Sequence, residues 1–210
     1  RADKEVVMEA VKNSGYALSY ADRSLKADRE FVMKALENSN GGHYILDHAS
    51  PKLRADRELV MYAIKNDGFS LAFANPKLQN DREVVLEAVK RSVFAFSNAS
   101  DNLRSDKNFV MEVVKIDGQA LKYVSSELQA DREVVMEAIK TAPTSIFFAS
   151  QSLKADKEVV MQAITTASKS DEVELKDKMR YSILLRDIDE KLQGDREVVL
   201  SAINVDGDSL

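Results

Sequence analysis

The apolar and polar positions of this chain follow a pattern that returns about every 25 residues. Each cycle opens with an aspartate, a basic residue and usually a glutamate, and an apolar run follows, as in Asp28-Arg29-Glu30-Phe31-Val32-Met33. The opening aspartates are Asp3, Asp28, Asp56, Asp81, Asp106, Asp131, Asp156 and Asp195, with steps of 25, 28, 25, 25, 25, 25 and 39 residues. A fixed period of this length predicts a tandem-repeat protein, and we number the repeats 1 to 8 from these aspartates.

The first half of each repeat predicts an amphipathic helix of ten or eleven residues, which we call helix A. In repeat 4, Asp81 precedes the apolar run Val84–Val89 and is a suitable N-cap for it, while Glu83 suits the first turn. A glycine follows the end of the pattern in several repeats, where a left-handed backbone would end the helix. These glycines are Gly15, Gly68, Gly118 and Gly207.

The second half of each repeat carries a smaller apolar set, such as Leu18, Ala21 and Leu25. Spacings of three and four residues predict one face of a second short helix, helix B, which Pro76 would shorten or break in repeat 3. Helix A is apolar over more than one stripe, so neighbouring repeats must cover it. We therefore predict an all-α fold, a right-handed or gently twisted α-solenoid of about eight two-helix repeats forming one array over residues 1–210.

The array departs from its own period in two places. Repeat 2 has three extra residues near 38–42, and repeat 7 has about fourteen near 168–181. Repeat 8 stops at Leu210, part of the way through its unit. We expect the chain to belong to a longer array.

Composition narrows the classes of function. The chain has 31% charged residues, a net charge of −5 and no cysteine, so disulfides and thiolate metal sites are excluded. Mixed charges disfavour nucleic acid and anionic membranes, and no apolar run approaches the length of a membrane span. We expect an intracellular protein without membrane insertion, with the cytoplasm favoured and an organelle left open.

Three segments carry a resemblance to a known repeat family. They are Leu25-Lys26-Ala27-Asp28-Arg29-Glu30, Leu71-Ala72-Phe73-Ala74 and Leu153-Lys154-Ala155-Asp156-Lys157-Glu158. Together they resemble the domain of unknown function 4116 repeats, over nearly the whole chain, and the family's units look like pairs of these 25-residue repeats. The resemblance implies a helical-repeat protein with a binding or scaffolding role and carries over no catalytic residues. Pro143 departs from the pattern, because it stands where repeat 6 should have glycine.

Both histidines of the chain, His43 and His48, lie just after the extra residues of repeat 2. A separation of five residues places them about 140° apart on a helix, and no third ligand accompanies them. We therefore expect no metal or cofactor here, and His48 to be a half-buried packing residue in an otherwise aromatic column.

Aromatic residues recur in two columns that are four residues apart. The first column holds Tyr16, Tyr44, Phe69 and Phe94, and the second holds Tyr20, Phe73, Tyr123 and Phe148. Residues at i and i+4 share one helix face, so the rings either pack helix B between repeats or line a groove for a peptide or helix. A methionine column in helix A, with Met33 and Met61 among its members, suits core packing and, less favoured, an adaptable groove.

The insertion of repeat 7 is strongly charged and has two interpretations, a solvated loop or extended helix, or a docking element for a partner. Insertions in repeat proteins often decorate one binding face. Its candidate contacts are Glu172, Lys176, Lys178 and Arg180.

The sequence predicts only a general class of function for this chain. We expect a non-enzymatic protein–protein interaction or scaffolding module, or a structural segment of a larger assembly, whose partner is another protein. A single-stranded nucleic-acid reader is the alternative, disfavoured because acids flank each recurring arginine. No catalytic residues are predicted. The candidate partner-binding residues are His43, His48, Tyr20, Tyr44, Phe73, Tyr123, Phe148, Glu172, Lys176, Lys178 and Arg180.

Overall fold

The computed structural model describes residues 3–39, 42–169 and 188–205, and every regular element in these ranges is helical. The α-helices are α1 Lys4–Asn13, α2 Arg23–Lys26, α3 Arg29–Asn38, α4 Gly42–His48, α5 Arg57–Asn66, α6 Pro76–Gln79, α7 Arg82–Arg91, α8 Asp101–Ser105, α9 Lys107–Ile116, α10 Ser126–Gln129, α11 Arg132–Thr141, α12 Gln151–Lys154, α13 Lys157–Ser168, α14 Glu190–Gln193 and α15 Arg196–Val205. The 3-10 helices are Gly15–Tyr20, Leu53–Ala55, Gly68–Phe73, Val93–Asn98, Gly118–Tyr123 and Pro143–Phe148. The all-α solenoid class predicted from the period is confirmed.

Helix A is present in all eight repeats. It has ten residues in each, except in α13, which has twelve. The opening aspartates are its N-caps: the Asp81 carboxylate accepts the N–H groups of Glu83 at 3.0 Å and Val84 at 3.1 Å, and Asp131 accepts the equivalent pair. The predicted cap and length of helix A are both confirmed.

The second half of the repeat differs from the single helix B that was predicted. In repeat 3 a six-residue 3-10 helix, Gly68–Phe73, is followed by Ala74 in an extended conformation and then by α6. The chain changes direction at Ala74, and Leu71 and Leu78 on either side of it are both buried. Pro76 occupies the first position of α6, where no N–H is needed, so it begins a helix and breaks none.

The glycine column has a different cause from the left-handed turn that was predicted. No glycine in the described residues has a positive φ. Gly68 and Gly118 instead lie against helix A of the next repeat, where a Cβ would stand 2.6 Å from the Ala88 oxygen and 2.0 Å from the Ala138 oxygen, respectively. At Gly68 and Gly118 glycine is required because two backbones touch, so the left-handed explanation is wrong there, and Gly207 lies outside the described residues.

The chain divides into two compact units, residues 1–103 (unit 1) and 104–210 (unit 2). In α3, α5, α7, α9, α11 and α13, helix A buries one stripe with positions i, i+1, i+4 and i+5. In α5 this stripe is Leu59, Val60, Ala63 and Ile64, and in α11 it is Val134, Val135, Ala138 and Ile139. Neighbouring repeats within a unit cover these stripes, as stacking predicts. That all repeats form a single array stays a prediction.

One backbone hydrogen bond joins successive repeats beside the short α-helices. The donor is a backbone N–H that precedes the short helix at the end of one repeat. The acceptor is a backbone carbonyl near the end of the corresponding short helix in the preceding repeat. The pairs in unit 1 are Ser50 to Lys26, Asn75 to Arg54 and Ser100 to Gln79, and those in unit 2 are Ser125 to Arg104, Ser150 to Gln129 and Asp189 to Lys154. The last pair shows that the insertion of repeat 7 leaves this contact in place.

A second ladder joins the repeats through charge. In repeats 1–3 and 5–7 the basic residue after the capping aspartate binds the aspartate, and in most of these repeats also the glutamate, at the start of the next repeat. The pairs in unit 1 are Lys4 with Asp28, Arg29 with Asp56 and Glu58, and Arg57 with Asp81 and Glu83; those in unit 2 are Lys107 with Asp131 and Glu133, Arg132 with Asp156 and Glu158, and Lys157 with Asp195 and Glu197. These ion pairs join neighbouring repeats within each unit.

The ladder also changes the acidity of the caps. The side-chain hydrogen bond from Lys157 and the N–H of Val198 lower the pKa of Asp195, and Lys4 with the N–H of Phe31 does the same to the pKa of Asp28. Both carboxylates are partly exposed, so each pair adds little to stability. Their repetition in one register specifies how the repeats stack.

Repeat 2 accommodates its extra residues by changing helix type. Its second half is the α-helix α4 followed by the 3-10 helix Leu53–Ala55, and Ile45, Leu46 and Leu53 remain buried. In the part of the chain that the structure describes, none of these helices has the length and apolar character needed to span a membrane.

We predict that Gly118→Ala destabilises unit 2, because the new methyl group would overlap the Ala138 carbonyl. The free energy of unfolding should fall by about 1–3 kcal/mol, the usual range for overpacking, as measured by urea denaturation. Gly194→Ala is the matched control, since nothing lies within 4 Å of its Cβ position. Equal effects of the two substitutions would contradict the close-approach explanation.

We predict that acid weakens the stacking through the caps. Because the folded pKa of Asp195 is lowered, its contribution is complete above the ordinary aspartate pKa of about 3.9 and is lost as the pH falls through the lower folded value. Lys157→Gln should raise the folded pKa of Asp195, so that the contribution becomes smaller and its loss is complete at a higher pH. Carboxyl titration by NMR measures the change, and an unmoved Asp195 titration would contradict the ladder.

Candidate functional site: an aromatic strip on unit 1

The second halves of repeats 1 and 3 each present two aromatic rings in contact. The Tyr16 and Tyr20 centroids are 5.9 Å apart at 83°, and those of Phe69 and Phe73 are 5.9 Å apart at 77°. Both pairs have the edge-to-face geometry that aromatic rings prefer. The 3-10 helices that carry them are anchored from below by Leu18 and Leu71, which are fully buried.

Helix α4 of repeat 2 connects these two pairs into one surface. Tyr44 contacts Tyr16 at 6.4 Å between centroids, and His48 contacts Tyr16 at 5.2 Å. His43 lies 3.9 Å from Tyr44 and 5.9 Å from Phe69. The aromatic strip is this continuous set of rings: Tyr16, Tyr20, His43, Tyr44, His48, Phe69 and Phe73.

Much of the strip is open to solvent. Tyr20 is 68% exposed, and Tyr16, Tyr44 and Phe69 are 48%, 47% and 46% exposed. Phe94, at the equivalent position of repeat 4, is also exposed. Singly exposed apolar residues are ordinary, but contiguous exposed aromatic surface marks an interaction site in many proteins.

His43 has a fixed environment within the strip. Its Nδ1 is paired with the Asp67 carboxylate, which also accepts the N–H of Phe69 at 2.9 Å and so begins the 3-10 helix of repeat 3. Asp67 therefore holds the His43 ring against the next repeat. This pairing orients the imidazole without bringing His48 to it.

The two histidines do not form a metal site with their surroundings. His48 is half-buried against Tyr16, and its Nε2 is 3.9 Å from the Asp47 carboxylate, too far for a hydrogen bond. No group of three His, Cys, Asp or Glu side chains within residues 3–39, 42–169 and 188–205 is arranged to hold a metal ion.

The two candidate aromatics of unit 2 have a different setting. Lys122 places its ammonium 5.7 Å from the Tyr123 ring centroid and 5.9 Å from that of Phe148, within the range of a cation–π contact. Burial raises the pKa of Tyr123. The first aromatic column is replaced in unit 2 by Gln119 and Thr144, whose side chains are hydrogen bonded to each other.

The structure thus gathers five predicted residues, Tyr20, His43, Tyr44, His48 and Phe73, into one surface on unit 1. Tyr123 and Phe148 belong to unit 2. The remaining candidates, Glu172, Lys176, Lys178 and Arg180, lie outside the described residues.

Two members of the strip, Tyr16 and Phe69, were not among the sequence candidates. The period had placed both in the same aromatic column as Tyr44, but they were not selected as partner-binding candidates. The methionine side chains are half-buried and so are not the core residues that the sequence analysis favoured. Met33 and Met61 line a shallow groove together with Tyr62 and charged neighbours.

The fold defines a class, the tandem helical-repeat proteins of the α-solenoid type. The family described as domain of unknown function (DUF4116) matches residues 3–54, 56–104, 81–129, 106–153 and 131–170. The chain belongs to this family. Each of the first four matches covers two 25-residue repeats, which is the pairing that the resemblance implied. Comparison with proteins of curated function and with solved structures found no match.

We predict that tyrosine nitration follows the exposure of the strip. Tetranitromethane should modify Tyr16, Tyr20 and Tyr44 well before Tyr123, which is half-buried and has a raised pKa that disfavours the reactive phenolate. Peptide mass spectrometry after limited reaction measures the order. Modification of Tyr123 first would contradict the described surface.

Proposed function

We propose that this chain is a non-enzymatic protein-interaction module that binds a partner protein through the aromatic strip of unit 1. The observation that carries the proposal is the unbroken run of contacting rings across three repeats, of which Tyr16, Tyr20, Tyr44 and Phe69 are exposed. Tyrosine suits such a role because it offers a large contact area and a hydroxyl group at a low cost in side-chain entropy.

The rest of the repeat acts as a scaffold for this surface. The capping aspartates and the basic residues beside them are engaged in the charge ladder, so these acids serve helix capping and stacking. This arrangement supports a binding role over an enzymatic one. The same arrangement supports a scaffolding role, and the absence of cysteine supports our placing the module in a reducing, intracellular compartment.

The spacing of the strip favours an extended partner segment. Packed helices lie about 8–10 Å apart, which sets the spacing of the elements that carry the rings, although the Tyr16 and Tyr44 rings themselves lie 6.4 Å apart between centroids. A polyproline II segment advances about 9.3 Å for each turn of three residues. A partner with proline at every third position would therefore meet one aromatic pair in each repeat, and the tyrosine hydroxyls could donate to its free carbonyl groups.

Single-stranded nucleic acid is the second candidate, and Lys122 beside two aromatic rings is the observation that favours it. Stacking on aromatic side chains is the usual basis of such binding. Against it, the periodic Lys and Arg residues of the ladder are each paired with acids of the next repeat. Little positive potential remains along that column to attract phosphates.

We predict that a random-peptide library displayed on phage, selected on the intact chain, yields proline-containing peptides that require the strip. Binding of an enriched peptide should weaken at least tenfold in the variant Tyr16→Ala/Tyr44→Ala, because two exposed rings in the middle of the strip are lost. Fluorescence anisotropy with the synthetic peptide measures the dissociation constant.

Ile116→Ala is the matched control, since it removes an exposed apolar side chain from unit 2. It should leave peptide binding unchanged. A labelled oligouridine tested in the same assay distinguishes the alternative: salt-sensitive binding of this probe, with no peptide selected, would replace the protein-interaction proposal with the nucleic-acid one.

A further inference from the structure

The methionines of this chain share one place in the repeat. Six of the seven stand five residues after the capping aspartate, and leucine takes this position in repeats 4 and 8. All six are half-buried, so their thioether groups lie at the margin of the core. These six are Met8, Met33, Met61, Met111, Met136 and Met161.

Each of these methionines is also close to the charge ladder. The basic residue of the ladder precedes it by four residues in every case, as Arg57 precedes Met61 on α5. Side chains four residues apart share one face of a helix. Met33, Met61, Arg57 and Glu83 line one shallow groove of unit 1, which we call the methionine groove. Two thioether groups and one step of the ladder therefore meet in the same groove.

The ladder step in this groove is open to competition. Arg57 binds Asp81 and Glu83 of the next repeat, but its side chain is 46% exposed and that of Glu83 is 74% exposed. Such exposed ion pairs contribute little to stability. A new hydrogen-bond acceptor beside Arg57 would therefore compete with both carboxylates.

We propose that the methionine groove is a reversible oxidation site, at which a hydroperoxide weakens the stacking of repeats 3 and 4. A lone pair of the Met61 sulfur attacks one oxygen of hydrogen peroxide, and an S–O bond forms as the O–O bond breaks. The departing hydroxide takes the proton of the transferred oxygen and leaves as water. The sulfur loses two electrons and the peroxide gains them. Because the chain has no cysteine, no thiol of its own intercepts the oxidant.

The product changes the groove in two ways. A sulfoxide is polar, so it fits a half-buried apolar site less well than a thioether does. Its oxygen is also a hydrogen-bond acceptor, which on Met61 stands four residues from Arg57 and competes with Asp81 and Glu83. Both changes favour separation of the two repeats, and a methionine sulfoxide reductase would reverse them.

Unit 2 has the same arrangement along its own ladder. Arg132 and Lys157 bind the acids of the next repeat, and Met136 and Met161 follow them by four residues. One oxidant therefore acts on the ladder of each unit. The aromatic strip contains no methionine, so this inference is independent of the proposed partner.

Peroxide treatment followed by urea unfolding tests the proposal. A chain that keeps only Met33 and Met61, with leucine at the other methionines, is compared with a chain in which all seven are leucine. Leucine is the matched replacement, because it nearly conserves volume and Leu86 already occupies this position, half-buried, in repeat 4. We expect oxidation to lower the urea midpoint of the first chain by about 0.3–0.5 M and to leave the second unchanged. The wild type, which needs no substitution, should show the same loss, and methionine sulfoxide reductase should restore its midpoint.

Arg57→Gln tests the mechanism in the chain that keeps Met33 and Met61. It removes the group for which the sulfoxide and Glu83 compete, so oxidation should then shift the midpoint less. Peptide mass spectrometry reports the extent of oxidation. The proposal is overturned if the two methionines resist peroxide that oxidises a free methionine peptide, if their full oxidation leaves the midpoint unchanged, or if the all-leucine chain loses as much. An oxidation shift that Arg57→Gln does not reduce would overturn the role given to Arg57.

Discussion

The structure depends on two contacts that are made by the same aspartate carboxylate. The aspartate that opens a repeat caps its own helix A and, at the same time, receives the basic residue of the repeat before it. Asp131 shows both contacts, with the N–H groups of Glu133 and Val134 on one side and Lys107 on the other. Formation of helix A and stacking of its neighbour therefore favour each other, because both place the same side chain in the same position.

The backbone ladder complements this contact within each repeat. A hydrogen bond such as Ser150 to Gln129 fixes the short α-helix of one repeat to the next, while the capping aspartate fixes helix A. With both halves held, the first aromatic column is free to differ between repeats. Unit 1 uses it for exposed rings, and unit 2 places the hydrogen-bonded pair Gln119 and Thr144 at the same positions, where Thr144 is buried.

The sequence predicted those parts of the fold whose causes are local. Caps, helix length and the Asp-Lys/Arg-Glu signature depend on neighbours within a few residues or one period away, and all of them were confirmed. The glycine column was misread because a helix end and a close approach of two backbones select the same residue. Only the position of the Ala88 and Ala138 carbonyls distinguishes the two causes. Helix B was misread because Leu71 and Leu78 are both buried, and apolar spacing does not reveal the extended Ala74 between them.

The positions of the aromatic columns were predictable from the sequence, but the number of rings that contact one another was not. The period placed aromatic residues at two fixed positions, and His48 was assigned to one of them. That the rings of three repeats touch depends on α4, whose geometry follows from the extra residues of repeat 2. The contact of His43 with Asp67 and Phe69 likewise joins elements from two repeats, and no single-repeat pattern contains it.

A double-mutant cycle at one capping aspartate tests most directly whether its two contacts are coupled. The free energy of unfolding is compared for Asp131→Ser, which keeps the cap but removes the charge, Lys107→Met and the combination, with Asp131→Ala as the variant that loses both contacts. We expect the effects of Asp131→Ser and Lys107→Met to be non-additive, and Asp131→Ala to cost about 1 kcal/mol more than Asp131→Ser. Additive effects, together with equal costs for serine and alanine, would contradict the shared role of the aspartate.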